Sequence, residues 1–221
     1  MESFPALDAL HSVVRHAFVR RIPGIDLSLT KQDVVAQLDP WHQQAVTRLG
    51  FPPESLWMAE QVHGAAVAAV PQPGARPIPG VDGLLTNQPG TVLGIHVADC
   101  GPVYVVDPVR RAIALLHSGR KGSEQDITGR AVLEMAARFG SRPADLIVQL
   151  GPCIRPPAYE VDFAAWIRAS ALAAGVPENQ FHDCGICTHA DPQRYDSYRR
   201  DLGRTGRLLA LLGLPSVNTP T

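Results

Sequence analysis

The most regular pattern along the chain is a series of short apolar runs between residues 64 and 150, rich in valine, isoleucine and leucine. Each run is only a few residues long and is followed by glycine, proline or aspartate, which is typical of β-strands. The predicted strands cover residues 64–70, 91–97, 103–106, 112–116 and 146–150. The middle of the chain is therefore expected to supply the sheets of the core.

Helices are predicted where apolar residues recur at helical spacing between capping residues. Asp39-Pro40 reads as an N-cap followed by proline at the first helical position, and Gly50 ends that helix. Gly140 is the expected C-terminal stop of a second helix. The predicted helices cover residues 39–50, about 126–139, about 162–175 and 204–212. Grouped strands and irregularly placed helices favour a mixed α+β fold.

Length and composition bound the class of protein. The chain has 221 residues, and its only proline- and glycine-rich segment, residues 71–80, is predicted to be a surface loop within one domain spanning residues 1–221. The net charge of −1 predicts neither nucleic-acid nor membrane binding. No apolar stretch approaches the roughly 18 residues of a membrane span, so we expect a cytoplasmic protein. Four cysteines in such a chain do not suggest a disulfide framework.

Three residues stand out as candidate metal ligands, namely His63, Cys100 and His117. Each lies beside an apolar run with a glycine close behind it, so strand packing can bring all three together. Two imidazoles and one thiolate form a tetrahedral zinc site with an open fourth position, which is the catalytic pattern. Copper also suits these ligands. Taken singly, each residue is as well explained by ordinary packing.

The same residues support a different chemistry. Cys100 and His117 can act as nucleophile and base, with Asp99 orienting the histidine. A metal site needs His63, whereas such a dyad does not. His96 is expected on the same strand face as Cys100, most simply as a packed histidine.

A second sulfur-containing segment lies near the C-terminus. Cys184 and Cys187 form a Cys-x-x-Cys pair flanked by His182 and His189. The pair resembles half of a zinc knuckle or a redox motif, and plain packing is the simplest explanation. By contrast, eight histidines without any His-x-His pair argue against multicopper clusters.

The order of several motifs resembles the laccase-domain family, also called YfiH-like proteins. The matching segments are Gln61-Val-His63-Gly64, Asp82-Gly-Leu-Leu-Thr86, Gly94-x-x-x-Ala98-Asp99-Cys100-x-Pro102-Val103, His117-x-Gly119-x-x-Gly122, Gly151-Pro-Cys-Ile154, Tyr159-Glu-Val161, Cys187-Thr188, and Ser197-Tyr-Arg-Arg-Asp201 with Thr205-Gly-Arg207. A partial match to the family's N-terminal motif, His16-Ala-Phe18 with Arg21, precedes them. Together they span nearly the whole chain.

The resemblance implies a fold and an activity. The fold would be packed mixed β-layers flanked by helices, related to Cys–His toxin deamidases, and one zinc would be held by His63, Cys100 and His117. The activity would be phosphorolysis of adenosine, inosine, guanosine and methylthioadenosine, together with deamination of adenosine. The expected ligands are a purine nucleoside and phosphate, and the expected assembly is a monomer or weak dimer.

The resemblance also suggests roles for other residues. Cationic groups would hold phosphate, and Gln61 joins them as a candidate substrate-binding residue. The candidate cations are Arg21, Arg120, Lys121 and Arg199. Asp99 and Glu160 are candidates for proton transfer, alongside Cys100 and His117 as catalytic residues.

One departure from the family pattern concerns the anion site. The family's His-Ala-Gly-Trp-Arg-Gly reads His117-Ser-Gly-Arg-Lys-Gly122 here, so tryptophan has become Arg120 and arginine has become Lys121. Lysine lacks the planar fork of arginine, which removes bidentate anion binding at that position.

Two alternatives to the nucleoside enzyme remain. One is a metal-free Cys–His hydrolase or deamidase acting on a peptidoglycan precursor. Polyphenol oxidase activity, which the family label suggests, is a further enzymatic alternative. The other is a non-catalytic relative that keeps the metal as a structural staple.

Overall fold

A computed structural model describes residues 1–74 and 76–216. Ala75 in the predicted loop 71–80, and residues 217–221 of the predicted domain 1–221, lie outside the described residues. The described residues form ten strands: β1 Arg15–Val19, β2 Leu56–Met58, β3 Val67–Ala69, β4 Gly83–Thr86, β5 Thr91–Val97, β6 Gly101–Asp107, β7 Ala112–Ser118, β8 Ile147–Leu150, β9 Phe181–Asp183 and β10 Leu208–Leu214. The same part of the chain contains the α-helices α1 Pro5–Asp8, α2 Lys31–Arg48, α3 Arg120–Glu124, α4 Ile127–Phe139 and α5 Phe163–Ala173.

The strands form two mixed sheets that pack face to face. The smaller sheet has the order β1-β10-β5-β2, and the larger has the order β3-β4-β7-β6-β8-β9. Alternate residues of β5 and β10, such as Ile95 and Leu212, meet Tyr104 and Leu115 of the larger sheet in one buried cluster. The predicted mixed α+β class with packed β-layers is therefore confirmed.

Helices cover the outer faces of both sheets. α2 packs Ala45 and Val46 against the smaller sheet. α4 and α5 place residues such as Met135 and Ile167 against the larger sheet. The layers thus run helix, sheet, sheet, helices, and the central strands β5, β6, β7 and β10 are almost wholly buried. Among the described residues no helix combines the length and apolarity needed to cross a bilayer.

Most predicted elements are present, with sharper bounds. The strands expected at 91–97, 103–106, 112–116 and 146–150 correspond to β5, β6, β7 and β8. The strand expected at 64–70 is limited to β3. Helix α4 ends at Gly140, whose φ of 68° is the left-handed stop that the sequence indicates. Helix α5 begins after Asp162, whose side chain accepts a hydrogen bond from the Ala165 amide at 3.1 Å.

Two element predictions are wrong. The first helix does not start at Asp39-Pro40. It starts after Thr30, whose side chain caps the Asp33 amide, and Pro40 lies inside it. Residues 204–212 do not form a helix, because β10 is the strand between β1 and β5. An all-apolar run is compatible with a helix or a strand. Backbone pairing with β1 on one edge and β5 on the other stabilises the strand.

Candidate metal centre and its cleft

The structure brings His63, Cys100 and His117 together at one end of the sheets. His117 lies near the end of β7, Cys100 lies in the turn between β5 and β6, and His63 lies in the segment between β2 and β3. Their ligand atoms all lie within 4.8 Å of one another, and the two imidazole centroids are 4.9 Å apart at 77°. Two imidazole nitrogens and one thiolate sulfur this close together are a donor set that suits zinc. His117 is buried and His63 is exposed, so the group opens to solvent on one side.

Asp82, which the sequence shows only as part of a motif, organises both histidines. Its Oδ1 lies 2.8 Å from His117 Nδ1 and accepts the His63 amide at 2.9 Å. Its Oδ2 accepts the amides of Val62 at 3.1 Å and Gly64 at 2.7 Å. Holding a proton on His117 Nδ1 leaves Nε2 free to bind a metal, as in carboxylate–histidine–metal triads. Burial alone raises the pKa of Asp82, but the hydrogen bonds and the charge of His117 outweigh it and lower the pKa.

The same carboxylate stabilises an unusual backbone. Gln61 and His63 have φ values of 66° and 63°, in the left-handed region that non-glycine residues rarely adopt. Three consecutive amides, from Val62 to Gly64, point at Asp82 and fix this conformation. The imidazole of His63 is thereby presented to the other two ligands.

The Cys100 thiol and the His117 imidazole each favour the charged form of the other. Burial by itself raises the pKa of Cys100, but the His117 charge and hydrogen bonds from His117 and His63 lower it to about 6. Burial by itself lowers the pKa of His117, but Cys100 and Asp82 raise it to about 9. A thiolate is the form that binds a metal, so the site is prepared for one.

Gly119 is required by the close approach of the backbone to this thiol. A Cβ atom at position 119 would lie 2.4 Å from Cys100 Sγ, well inside contact distance. The glycine that follows His117 in the sequence pattern therefore makes room for the third ligand.

Asp99 has a different role from the one that the Cys–His hypothesis gives it. Its carboxylate accepts hydrogen bonds from Thr188 Oγ1 at 2.7 Å, Ser197 Oγ at 3.0 Å and the Arg199 amide at 2.7 Å. The prediction that Asp99 orients His117 is wrong, because Asp82 occupies that position. Asp99, the residue that precedes Cys100, instead holds two segments, around Thr188 and around Ser197–Arg199, beside that ligand.

Gln61 and His96 are joined through the backbone of β5. The side-chain Nε2 of Gln61 donates to the His96 backbone carbonyl at 2.5 Å. Its Oε1 accepts a hydrogen bond from the His96 backbone N–H at 2.8 Å. The His96 ring lies toward α2, with Nε2 3.3 Å from His42 Nδ1. His96 is therefore packed between β5 and α2, and the turn at Asp99, with φ of 88°, breaks the alternation that would place it beside Cys100.

A cleft of about 1910 Å³ surrounds the three ligands. Arg120, Lys121 and Arg199, three of the predicted cations, line it together with Gln61. Arg120 pairs with Glu124 at 2.9 Å in an exposed i,i+4 contact. The predicted candidates Asp99, Cys100 and His117 also line this cleft.

Two predicted site residues lie outside the cleft lining. Glu160 is exposed and pairs with Arg199 at 2.8 Å, while the Arg199 guanidinium lies 5.3 Å from the Tyr159 ring centre. Arg21 donates to the Pro192 carbonyl at 3.0 Å, away from the ligands. Glu160 therefore sits behind a cleft residue, and Arg21 pairs with Asp196 at 3.7 Å.

Arg207 is a cation of the cleft that sequence reasoning missed. It is half-buried, lines the cleft, and donates to the carbonyls of Thr205 and Gly206 at 3.1 and 2.7 Å. Burial lowers the pKa of Arg207, although nearby Asp196 and Cys100 oppose the effect. Its place in the Thr-Gly-Arg motif was the available signal, but only the position of β10 shows that it faces Cys100.

Within residues 1–74 and 76–216, the histidine–cysteine trio is the one group of three or more ligating side chains close enough for a metal. The Cys184-x-x-Cys187 segment forms no second group of this kind among those residues. All four cysteines, Cys100, Cys153, Cys184 and Cys187, are free thiols.

Comparison with known proteins places this geometry in a family context. The family model described as multi-copper polyphenol oxidoreductase laccase matches residues 15–165 and 161–215. The purine nucleoside phosphorylase YlmD of Geobacillus stearothermophilus is 34% identical over 203 residues, covering 75% of this chain and 74% of that protein. The purine nucleoside phosphorylase of Deinococcus radiodurans is 32% identical and covers 96% and 93%.

Solved structures show the same architecture. The crystal structure of YlmD from Geobacillus stearothermophilus aligns with a TM-score of 0.77 at 30% identity, covering 92% of this chain and 90% of that chain. The hypothetical protein YfiH from Bacillus licheniformis aligns with a TM-score of 0.79 at 25% identity, covering 91% and 92%.

Proposed function

This chain belongs to the multi-copper polyphenol oxidoreductase laccase family, also called YfiH-like, and from that premise we propose that it is a metal-dependent purine nucleoside phosphorylase. The substrates proposed are adenosine, inosine, guanosine and methylthioadenosine, with inorganic phosphate as second substrate. The observation that carries the proposal is a metal-binding trio in one cleft with five cationic side chains, namely Arg76, Arg120, Lys121, Arg199 and Arg207.

The ligand set fits a single metal ion. His117 is held by Asp82 with Nε2 free, Cys100 has a pKa lowered to about 6, and His63 lies on the exposed side. Two nitrogens and one sulfur suit zinc, and copper is the alternative. Such an ion would supply Lewis acidity to a substrate oxygen or nitrogen.

The cations of the cleft are proposed to hold phosphate beside the ribose. In phosphorolysis a phosphate oxygen attacks the ribose C1′, the C1′–N9 bond breaks, and its electron pair leaves with the base, which takes up a proton. Arg120, Lys121, Arg199 and Arg207 line the cleft and can balance the phosphate charge. Arg207 is half-buried and anchored by its own loop, so it is the best positioned of the four.

Proton transfer is proposed for Glu160 or Asp99. The Asp99 carboxylate is 7% exposed and accepts three hydrogen bonds, which leaves it little freedom to reach a substrate. Glu160 is exposed and pairs with Arg199, a residue of the cleft lining. Glu160 is therefore the more accessible proton donor of the two.

Adenosine deamination is the proposed second reaction of the same site. It replaces the amino group at C6 with oxygen from water and releases ammonia. The exposed side of the trio, at His63, gives a purine ring and a water molecule access to the metal position.

A second candidate function is a Cys–His hydrolase or deamidase acting on a peptidoglycan precursor. The charged pair of Cys100 and His117 favours it, since a thiolate beside an imidazolium is an activated nucleophile. A polyphenol oxidase with a copper cluster has less support, because the described part of the chain holds one ligand trio.

Product analysis with and without phosphate tests the proposal. Wild type incubated with adenosine and phosphate should release adenine and ribose 1-phosphate, and should form inosine when phosphate is omitted. Arg207→Ala should raise the phosphate KM at least about tenfold, the loss expected for a charge-assisted contact. A matched control is Arg138→Ala, which removes an exposed arginine from α4 outside the cleft lining. Absence of adenine under all phosphate concentrations would refute the phosphorylase, and iodoacetamide-sensitive, chelator-resistant hydrolysis would support the second candidate.

A further inference from the structure

The Cys153–Cys187 pair is a feature that the nucleoside chemistry does not use. The two residues are opposed in an isolated parallel β-bridge, at the point where the segment after β8 meets the segment after β9. The Cys153 amide donates to the Ile186 carbonyl at 3.2 Å, and the Thr188 amide donates to the Cys153 carbonyl at 3.1 Å. The two cysteine backbones are therefore locked side by side.

This backbone geometry suits a disulfide. Paired strands lie about 4.8 Å apart, which falls within the range of roughly 4.4–6.8 Å between the Cα atoms of disulfide-bonded cysteines. Directly opposed residues also present their side chains to the same face. Cys153 and Cys187 accordingly pack in the same apolar cluster under α5.

We propose that Cys153 and Cys187 are a redox modification site, which a low-molecular-weight disulfide converts to an intramolecular disulfide that loosens the metal centre. The proposal goes beyond the nucleoside activity and does not depend on which reaction the cleft catalyses.

The two thiols differ in access, which fixes the order of the steps. Cys187 is half-buried, whereas Cys153 is fully buried and burial raises its pKa well above the ordinary value. The Cys187 thiolate attacks the small disulfide and releases one small thiol. The Cys153 sulfur then attacks the Cys187 sulfur and releases the second. Two protein thiols are oxidised, one small disulfide is reduced, and both protons pass to the released thiols.

The residue after each cysteine connects the pair to the metal ligand Cys100. The Ile154 amide donates to the Asp99 carbonyl at 2.8 Å, and Thr188 Oγ1 donates to the Asp99 carboxylate at 2.7 Å. A disulfide holds its two sulfur atoms about 2.05 Å apart, so oxidation draws the two side chains together and restrains both segments. Through these two hydrogen bonds the movement displaces Asp99, the residue before Cys100.

Cys184 lies nearby and supplies an internal control. It is the other half of the Cys-x-x-Cys motif, and burial raises its pKa to about 11. The bridge pairs Cys187 with Cys153 and not with Cys184, so Cys184 is expected to remain reduced.

Peptide mapping of the full chain tests the chemical part. The zinc-loaded protein is equilibrated with glutathione buffers of rising disulfide content, free thiols are alkylated after denaturation, and peptides are identified by mass spectrometry. Cys153 and Cys187 should lose alkylation together and appear in one cross-linked species, in wild type and in Cys184→Ser. Cys153 should stay alkylatable in Cys187→Ser. A Cys184–Cys187 cross-link, or a Cys153 that remains reduced at every ratio in wild type, would overturn the proposal.

Metal release tests the coupling. The rate of zinc transfer to a chromophoric chelator should rise about 2- to 30-fold in oxidised wild type, the range expected for coupling through a packed network. The same oxidation should leave the rate unchanged in Cys187→Ser. In Thr188→Val, which keeps the shape of the side chain but removes its bond to Asp99, oxidation should have a smaller effect. An oxidised wild type that releases zinc at the reduced rate would overturn the link to the metal centre.

Discussion

Replacement of Asp82 by asparagine should weaken the metal site although it preserves side-chain shape and leaves all three ligands in place. Each carboxylate oxygen of Asp82 faces two donors: Oδ1 faces the His63 amide and His117 Nδ1, and Oδ2 faces the amides of Val62 and Gly64. In either orientation, the amide nitrogen of asparagine must face one of these donor pairs. The substitution therefore replaces two attractive contacts by repulsive ones.

The magnitude follows from these contacts. Charge-assisted hydrogen bonds contribute about 1.5–3 kcal/mol each, and the surrounding groups relax partly when two of them are lost. Asp82→Asn should therefore lower the free energy of unfolding by about 2–4 kcal/mol. For a chain of this length, that corresponds to a melting temperature lower by about 5–15 °C. Metal affinity should fall about 10- to 100-fold, the usual effect of removing a group that orients a ligand.

The assay is competition between the protein and a chromophoric chelator for zinc, with melting of the metal-free proteins measured in parallel. Asp107→Asn is the matched control, because Asp107 is equally buried, accepts the amides of Val109 and Arg110, and lies at the far end of β6 from the ligands. Both amides bind the same oxygen, which asparagine retains, so this variant should keep its metal affinity. An Asp82→Asn protein that binds zinc within about twofold of wild type would refute the reasoning.

Three further predictions concern the thiol, its neighbouring glycine and a distant histidine. Gly119→Ala should reduce zinc content, measured by mass spectrometry, because the added Cβ would lie 2.4 Å from Cys100 Sγ, whereas Gly140→Ala, on the surface, should not. In metal-free protein, alkylation of Cys100 should follow an apparent pKa of about 6, so that at pH 7 it reacts before Cys184, whose pKa is about 11; equal rates at pH 7 would contradict the assigned charges. Burial lowers the pKa of His42 from 6.5 to about 4. As the pH falls, His42 therefore binds a proton in the unfolded chain before it does so in the folded chain. The free energy of unfolding should then drop by up to about 3 kcal/mol between pH 6.5 and 4, and this part of the drop should vanish in His42→Gln.

The ligand trio could be predicted from sequence because each member ends or flanks an apolar run, and such runs meet in a core. His117 and Cys100 illustrate this, since they sit at adjacent ends of β7 and β6. Asp82 could not be found this way, because its role arises only when β4 pairs with β7 and its carboxylate comes under His117. Arg207 was missed for a similar reason, since it lies within residues 204–212, for which a helix is predicted, and directly before β10.

The errors in the fold have physical causes of the same kind. Leucine-rich β10 carries no alternation, because both of its faces are buried between other layers. Pro40 was interpreted as a helix start, but α2 tolerates it in its interior and takes its cap from Thr30. Local patterns identify elements with clear caps and bounds, such as α4. In a strand buried on both faces, such as β10, apolar and polar residues do not alternate, so the local pattern does not distinguish strand from helix.

The most direct test of the central claim is the metal content of purified wild type and His63→Ala, measured by mass spectrometry with adenosine turnover on the same samples. His11→Ala, which removes an exposed histidine far from the trio in sequence, is the control. The account predicts one zinc or copper ion per chain in wild type and His11→Ala, and loss of both metal and turnover in His63→Ala. A metal-free wild type that still turns over substrate, or a His63→Ala protein with unchanged metal and activity, would contradict it.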